Sequence, residues 1–323
     1  AARQVLRKTD LALVVLEPLP HLDPTEIELL ELLSSGKTPF LVIVNKCDTG
    51  KPPESLLAEL KRYTVVPVAV SARERSGVDD LRAVHMQSKL KDFDTGTIVG
   101  DLVKPGDVVV LVVPIDLAAP KGRLILPQVQ TIRDLLDADC IAITAKEREL
   151  RAVIDGLRQP PALVITDSQA FLKVAADVPR GVPFTSFSVL FARYKGDLAA
   201  YVEGIRQFIG RPVKKKILIS EVCTHHQMAD DIGRVKIPRW LRQTYGGELQ
   251  FEFCQGCSYP KNLAEFDLVV QCGGCMVNRR AILDRIEDCR RQGVPITNYG
   301  ILIAHLHGVL EDAIKPFGLS VHA

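Results

Sequence analysis

Residues 266–275 read FDLVVQCGGC, and residues 279–291 read RRAILDRIEDCRR. The first stretch opens on an apolar run of strand type, Phe266 to Val270. The second is a helical pattern. Between them stand two cysteines separated by two glycines, Cys272-Gly273-Gly274-Cys275. A similar arrangement lies upstream, where Ile217-Leu218-Ile219 runs towards Cys223-Thr224-His225-His226. Both sulfur-bearing pieces therefore belong at strand ends, on one edge of a sheet. Open α/β sheets place their ligands at that edge. Thiolates and imidazoles gathered there read as a metal site.

The flanking chain continues the same alternation. Within residues 213–323 the pattern predicts strands at Lys216–Ser220, Leu249–Phe253 and Leu268–Val270. It predicts helices at Pro238–Tyr245, Arg279–Arg291 and Gly300–Ile314. Residues 97–212 carry four βα units. Their strands are Asp107–Pro114, Cys140–Ile143, Ala162–Thr166 and Pro183–Val189. Their helices are Leu126–Leu136, Glu147–Gly156, Ser168–Ala176 and Leu198–Ile209. Four such units make a four-stranded parallel sheet. This part shows no phosphate loop and no titratable cluster, and Cys140 reads as core packing. An assembly role is expected, with an exposed edge strand paired to a second copy.

Residues 1–90 hold strands at Leu11–Leu16, Phe40–Val44 and Val65–Val70, with helices at Glu26–Leu33, Glu54–Arg62 and from Gly77. Their strands are continuously apolar, as in a parallel sheet covered on both faces. The fold class is thus α/β, with three consecutive βα-rich domains at 1–90, 97–212 and 213–323.

With 323 residues, 47% of them apolar, the chain can bury two or three cores. A net charge of +2 without a long basic block speaks against nucleic acid. The longest apolar run, Val108–Ile115, is too short for a bilayer. Eight cysteines in a chain with no export signal predict reduced thiols in the cytoplasm.

The second strand ends in Asn45-Lys46-Cys47-Asp48 and the third in Ser71-Ala72. This pair resembles the guanine-recognition half of a Ras-like GTPase domain. Asp48 can accept from guanine N1 and N2, and Lys46 can lay its stem along the base. Asn45 can tie the two loops, and the Ala72 N–H can donate to guanine O6. A site built on one base's donor pattern discriminates strongly. No G-x-x-x-x-G-K-[ST] is present; Gly36-Lys37-Thr38 leads into a strand rather than out of one. The domain is expected to begin in its middle, and the chain as it stands not to hydrolyse GTP.

Two metal arrangements fit the cysteines. One joins Cys254, Cys257, Cys272 and Cys275 as a zinc site. The other uses Cys223, Cys272 and Cys275, with a fourth position open, for a [4Fe–4S] cluster. The residues alone leave both standing.

The segments Ala119–Asp137 (APKGRLILPQVQTIRDLLD), Cys223–Leu241 (CTHHQMADDIGRVKIPRWL), Cys272–Arg280 (CGGCMVNRR) and Val294–Gly300 (VPITNYG) resemble the [FeFe]-hydrogenase maturation GTPases. That resemblance implies a GTPase domain, a dimerisation domain and a [4Fe–4S] cluster domain. It implies a scaffold or carrier that takes a diiron precursor from two radical S-adenosylmethionine maturases and delivers it to apo-hydrogenase. It further implies GTP as ligand and a homodimer, with a tetramer as the larger alternative. The family pattern is C-x-H and H-C-x-x-C. It puts Cys223, Cys272 and Cys275 on the three cysteines and His225 on the first histidine. Gln271 stands where the family has His, so the fourth ligand is His225, His226, a water or the cargo. Cys254 and Cys257 lie outside the pattern. The alternatives are a GTPase with a structural zinc module at Cys254, Cys257, Cys272 and Cys275, and an iron–sulfur redox protein. His305 and His307, two apart on one helix, are expected on different faces. Trp240 is expected over the domain interior, Cys289 in packing, and Asn298-Tyr299-Gly300 along the cluster pocket.

Overall fold

The computed structural model describes residues 9–35, 38–63, 66–84, 96–115, 123–211, 216–222, 231–246, 248–256 and 259–321. It divides into two compact units, residues 1–95 and 96–323.

In the first unit a three-stranded parallel sheet has the order β1-β2-β3. Its strands are β1 (Ala12–Leu16), β2 (Phe40–Val44) and β3 (Val68–Ala69), with helices α1 (Pro24–Ser35) and α2 (Glu54–Leu60) between them. Residues 78–84 are helical. Val14 and Leu16 join Leu30, Leu33, Val42, Val44, Leu56 and Leu60 in the core. The expected double-sided cover does not extend to the other face of β1, where Leu13 and Val15 are 49% and 58% exposed. An unbroken apolar run says that a strand is apolar on both sides, not that both sides are covered.

The second unit contains two four-stranded parallel sheets. One has the order β5-β4-β6-β7, from β4 (Val108–Val112), β5 (Ile141–Ala145), β6 (Leu163–Thr166) and β7 (Phe184–Ser186). Helices α3 (Leu126–Asp137), α4 (Leu150–Gly156), α5 (Phe171–Asp177) and α6 (Phe187–Lys195) accompany it. Then α7 (Leu198–Gly210) leads to the other sheet, ordered β11-β10-β8-β9. This sheet is formed by β8 (Lys216–Glu221), β9 (Gln250–Gln255), β10 (Leu268–Gln271) and β11 (Ile296–Asn298). Its helices are α8 (Ile237–Tyr245), α9 (Arg279–Arg291), α10 (Tyr299–Leu306) and α11 (Leu310–Ile314). No helix among the described residues is long and apolar enough to cross a membrane.

One apolar core runs through both sheets. It joins Val110 and Val112 of β4 to Tyr201 and Ile205 of α7, Leu218 of β8 and Val269 of β10. Residues 97–212 and 213–323, expected as consecutive domains, thus pack as one unit.

Two local expectations need correction. The strand expected over Pro183–Val189 stops at Ser186, whose hydroxyl accepts from the Val189 N–H at 3.2 Å and so starts α6. Asn298 does the same at the end of β11, accepting from the Ile301 N–H at 2.8 Å. The single helix expected over Gly300–Ile314 is two helices, α10 and α11, parted by Gly308 at φ +72°.

Candidate functional site

The loops after β2 and β3 are tied to each other. The Asn45 Oδ1 accepts from the Ala72 N–H at 3.0 Å, and the Ser71 hydroxyl donates to Asp48 Oδ1 at 2.7 Å. The Cys47 N–H donates to the Val70 carbonyl at 3.1 Å. That Ser71 bond, the largest influence, holds the Asp48 carboxyl below its ordinary pKa. Asn45, Lys46, Asp48, Ser71 and Ala72 therefore sit on two adjoining loops. One detail differs from expectation: the Ala72 N–H, assigned to guanine O6, is engaged by Asn45. A residue not read from the sequence also joins the site. Glu17 follows β1 and pairs with the Lys46 ammonium, while Lys46 itself adopts φ +65°. The clue was positional, since Glu17 leaves a strand hydrogen-bonded beside Asn45.

In the second unit, the C-terminal ends of β8 and β10 meet. The Cys272 N–H donates to the Ser220 carbonyl at 2.9 Å, and the Cys272 sulfur accepts from the Val222 N–H at 3.1 Å. Cys223 is the next residue in the chain. Cys223 itself, with His225 and His226, lies outside the described residues, as does Cys257. After Cys272 the chain turns through Gly274 at φ +58°, where a Cβ would run into Ile282 Cδ1 of α9. Glycine meets both demands without strain. Cys275 follows, half-buried, and Asn278 caps α9 by accepting from the Ala281 N–H at 3.3 Å.

Around this edge the sheet interior is polar. Gln271 is fully buried, and its Nε2 donates to the Tyr201 hydroxyl at 3.2 Å. Its Oε1 has no hydrogen-bond partner among the described residues, and neither has the Tyr299 hydroxyl. The Tyr299 ring lies over Gly233, where a Cβ would run into its hydroxyl. Asn298, expected along the pocket, has a structural task, capping α10 and donating to the Ser188 carbonyl at 3.3 Å. Arg285 of α9, 8% exposed, donates to Ser220 Oγ at 2.5 Å and to the Gly256 carbonyl, and lies 4.7 Å from the Tyr259 ring centre.

None of the described cysteines forms a disulfide. No group of three or more His, Cys, Asp or Glu side chains placed to hold a metal ion occurs among the described residues. Cys254, Cys272 and Cys275 are all described, so the local four-cysteine zinc arrangement gains no support from their placement. Burial, the largest influence, raises the Cys254 thiol's pKa. His305 and His307 go to different partners: His305 Nε2 lies 2.6 Å from the Tyr245 hydroxyl, and His307 meets Trp240 edge-on at 5.0 Å. Two soft thiols on one loop, a backbone N–H on one sulfur and a buried guanidinium nearby form a donor set that fits an anionic iron–sulfur group.

Residues 98–196 match the hydrogen maturase F dimerization domain, and residues 199–316 match the hydrogen maturase F tetramerization domain. Together they take in roughly two thirds of the chain.

The chain belongs to the hydrogen maturase F family.

The family boundary at 196/199 falls at the short turn between α6 and α7. In hydrogen maturase F terms, then, α7 opens the tetramerization domain, and Tyr201 reaches Gln271 from within it. The chain is also 31% identical over 96 residues to translation initiation factor IF-2 of Maricaulis maris (strain MCS10), covering 26% of this chain and 11% of that protein. It thus spans about a tenth of that relative's length.

Proposed function

We propose that this chain serves in the maturation of [FeFe]-hydrogenase as a scaffold and carrier. Cys223, Cys272 and Cys275 would hold a [4Fe–4S] cluster, and a diiron precursor would be the cargo passed on to apo-hydrogenase. One contact supports this reading above all. The Val222 N–H sits on the Cys272 sulfur at 3.1 Å, so the strand leading directly to Cys223 ends against Cys272. Membership of hydrogen maturase F supplies the class of task.

The chain's own residues have distinct duties in this scheme. Val222 and Ser220 orient Cys272 through its sulfur and its N–H. Gly273 and Gly274 let the backbone approach closely. Arg285, held on Ser220 Oγ, brings positive charge to the same sheet end. Gln271 is turned to Tyr201, which leaves His225, His226, water or the cargo for the fourth position. Bound there, the cluster supplies an iron whose fourth position can be exchanged.

In this reading Asp48 and Lys46 contact guanine, while Asn45, Ser71 and Ala72 hold the two loops around it. Nucleotide then biases partner affinity by favouring one of two states. The dimerization domain pairs with a second copy across β5, an edge strand whose Ile141 is 53% exposed. Two radical S-adenosylmethionine maturases load the scaffold.

The test is transfer. The full-length protein is incubated anaerobically with both maturases, re-isolated and mixed with apo-hydrogenase, and hydrogen evolution is measured. Wild type activates and Cys272→Ala does not. Equal activation by the two contradicts the proposal.

A further inference from the structure

The end of α6 and the Cys272–Cys275 loop grip each other through two reciprocal cations. Lys195, the last residue of α6, points its Nζ at three backbone carbonyls of the loop. They are Cys275 at 2.7 Å, Val277 at 2.9 Å and Gly274 at 3.3 Å. An ammonium has three donors, and three acceptors meet it here. In the opposite direction Arg279, the first residue of α9, donates Nε to the Tyr194 carbonyl at 3.2 Å and Nη2 to the Gly196 carbonyl at 3.4 Å. Those carbonyls lie at the C-terminus of α6, where helix carbonyls lack helical partners. Gly196 fixes the junction further. A Cβ there would stand 2.8 Å from both the Ala192 carbonyl oxygen and the Tyr201 ring, so glycine lets the turn into α7 pass close to the tyrosine that holds Gln271.

The partition of these residues matters. Lys195 belongs to the segment matched by the dimerization domain, residues 98–196. The loop that it grips belongs to the tetramerization domain, residues 199–316. The bond to the Cys275 carbonyl puts the ammonium on the backbone of a proposed cluster ligand. The bonds to Gly274 and Val277 fix the turn on either side of that ligand.

We infer that Lys195 is a positioning residue of the cluster site, supplied by the dimerization domain. It sets the loop so that the Cys272 and Cys275 sulfurs face one group, and it adds a positive charge beside an anionic cluster. This rests on the cluster reading above. Outer contacts that orient metal ligands change metal affinity by about 10- to 100-fold when removed. Nearby charge also shifts cluster potential, because a cation favours the more negative, reduced form.

The experiment uses full-length protein, wild type, Lys195→Met, Lys195→Arg and Arg279→Met. Each is first compared without metal by light scattering, thermal melting and hydrogen exchange over residues 273–277. Each is then reconstituted anaerobically with iron and sulfide. Cluster retention against a chelator and the midpoint potential are read by EPR. Lys195→Met should keep its oligomeric mass, exchange the loop amides faster, retain the cluster about 10- to 100-fold less well and show a lower potential. Lys195→Arg should recover much of the potential. Arg279→Met loosens the same junction and removes a charge held on the α6 carbonyls rather than on the loop, so it should lower the melting temperature and shift the potential less than Lys195→Met. Iron uptake by wild type and Lys195→Met with equal retention and equal potential overturns the role of Lys195. A potential that falls as far in Arg279→Met overturns it too, since the effect would then not be particular to Lys195. A wild type that takes up no iron overturns the cluster reading itself, and the inference with it.

Discussion

Gly204 of α7 lies against the backbone of Ile296 in β11: a Cβ there would stand 2.7 Å from the Ile296 carbonyl carbon and 3.0 Å from its nitrogen. Helix and strand touch main chain to main chain, and this contact carries α7 onto the second sheet of its unit. The atoms in the way are backbone within a ladder, so they cannot swing aside.

Gly204→Ala therefore destabilises the protein. Alanine is intrinsically better than glycine inside a helix by about 0.5–1 kcal/mol, but overpacking against a rigid backbone costs about 1–3 kcal/mol. The net loss lowers the denaturation midpoint in urea or heat. A midpoint at or above wild type would show that α7 can lift off β11 freely.

Thiol reactivity separates the cysteines. Burial pushes the Cys289 pKa up to about 12, with the Tyr259 hydroxyl 3.2 Å from its sulfur, and burial raises Cys254 as well. Little thiolate forms at either, and thiolate is the reactive species. Cys275 is half-buried on a loop. Brief iodoacetamide treatment of metal-free protein at neutral pH should label Cys275 well before Cys254 and Cys289, as read by peptide mass spectrometry. Early labelling of Cys289 would contradict its place in the core.

Acid should weaken the second unit through two histidines. Burial lowers the pKa of both His305 and His307. Their folded pKa values thus lie below the unfolded value of about 6.5. The unfolded chain then binds more protons, so stability is fully present above about pH 6.5 and falls as pH drops through the folded values. Melting temperature should decline from pH 7 towards pH 5, and His305→Phe should flatten part of that decline. A pH profile that His305→Phe leaves unchanged would remove His305 from the account.

The loops after β2 and β3 offer a direct titration. The Ser71 hydroxyl is the main reason the Asp48 pKa is low. Ser71→Ala should raise it towards the ordinary carboxylate value, seen by NMR at the Asp48 carboxyl carbon. An unmoved titration would mean that Ser71 does not donate to Asp48.

Much of this architecture can be read from local pattern. β2 and α9 begin and end where the sequence predicts, because a bounded apolar run and a periodic stretch each carry their own limits. Helix α6 escapes such reading because Ser186 both ends β7 and caps the helix, and Phe187-Ser188-Val189 alternates like a strand. β11 is three residues long, too short to show a period. The loops around Asn45 and Ser71 are legible for the opposite reason: their polar residues hydrogen-bond from one loop to the other, which restricts their type. Lys195, Arg285 and Tyr201 leave no motif, and Arg279 lies within Cys272–Arg280 without its role showing there. Lys195 and Arg279 act on backbone carbonyls about eighty residues away, and any sequence supplies a carbonyl.

The central claim is that Cys272 and Cys275 hold an iron–sulfur cluster with Cys223, and that Cys254 takes no part. The most direct test is anaerobic reconstitution with iron and sulfide on wild type, Cys223→Ala, Cys272→Ala and Cys254→Ala, followed by metal analysis and EPR after reduction. The account predicts about four irons in wild type and Cys254→Ala, as a cubane requires, and loss of the cluster in the other two variants. Loss of binding in Cys254→Ala, or retention of zinc in place of iron, would contradict it.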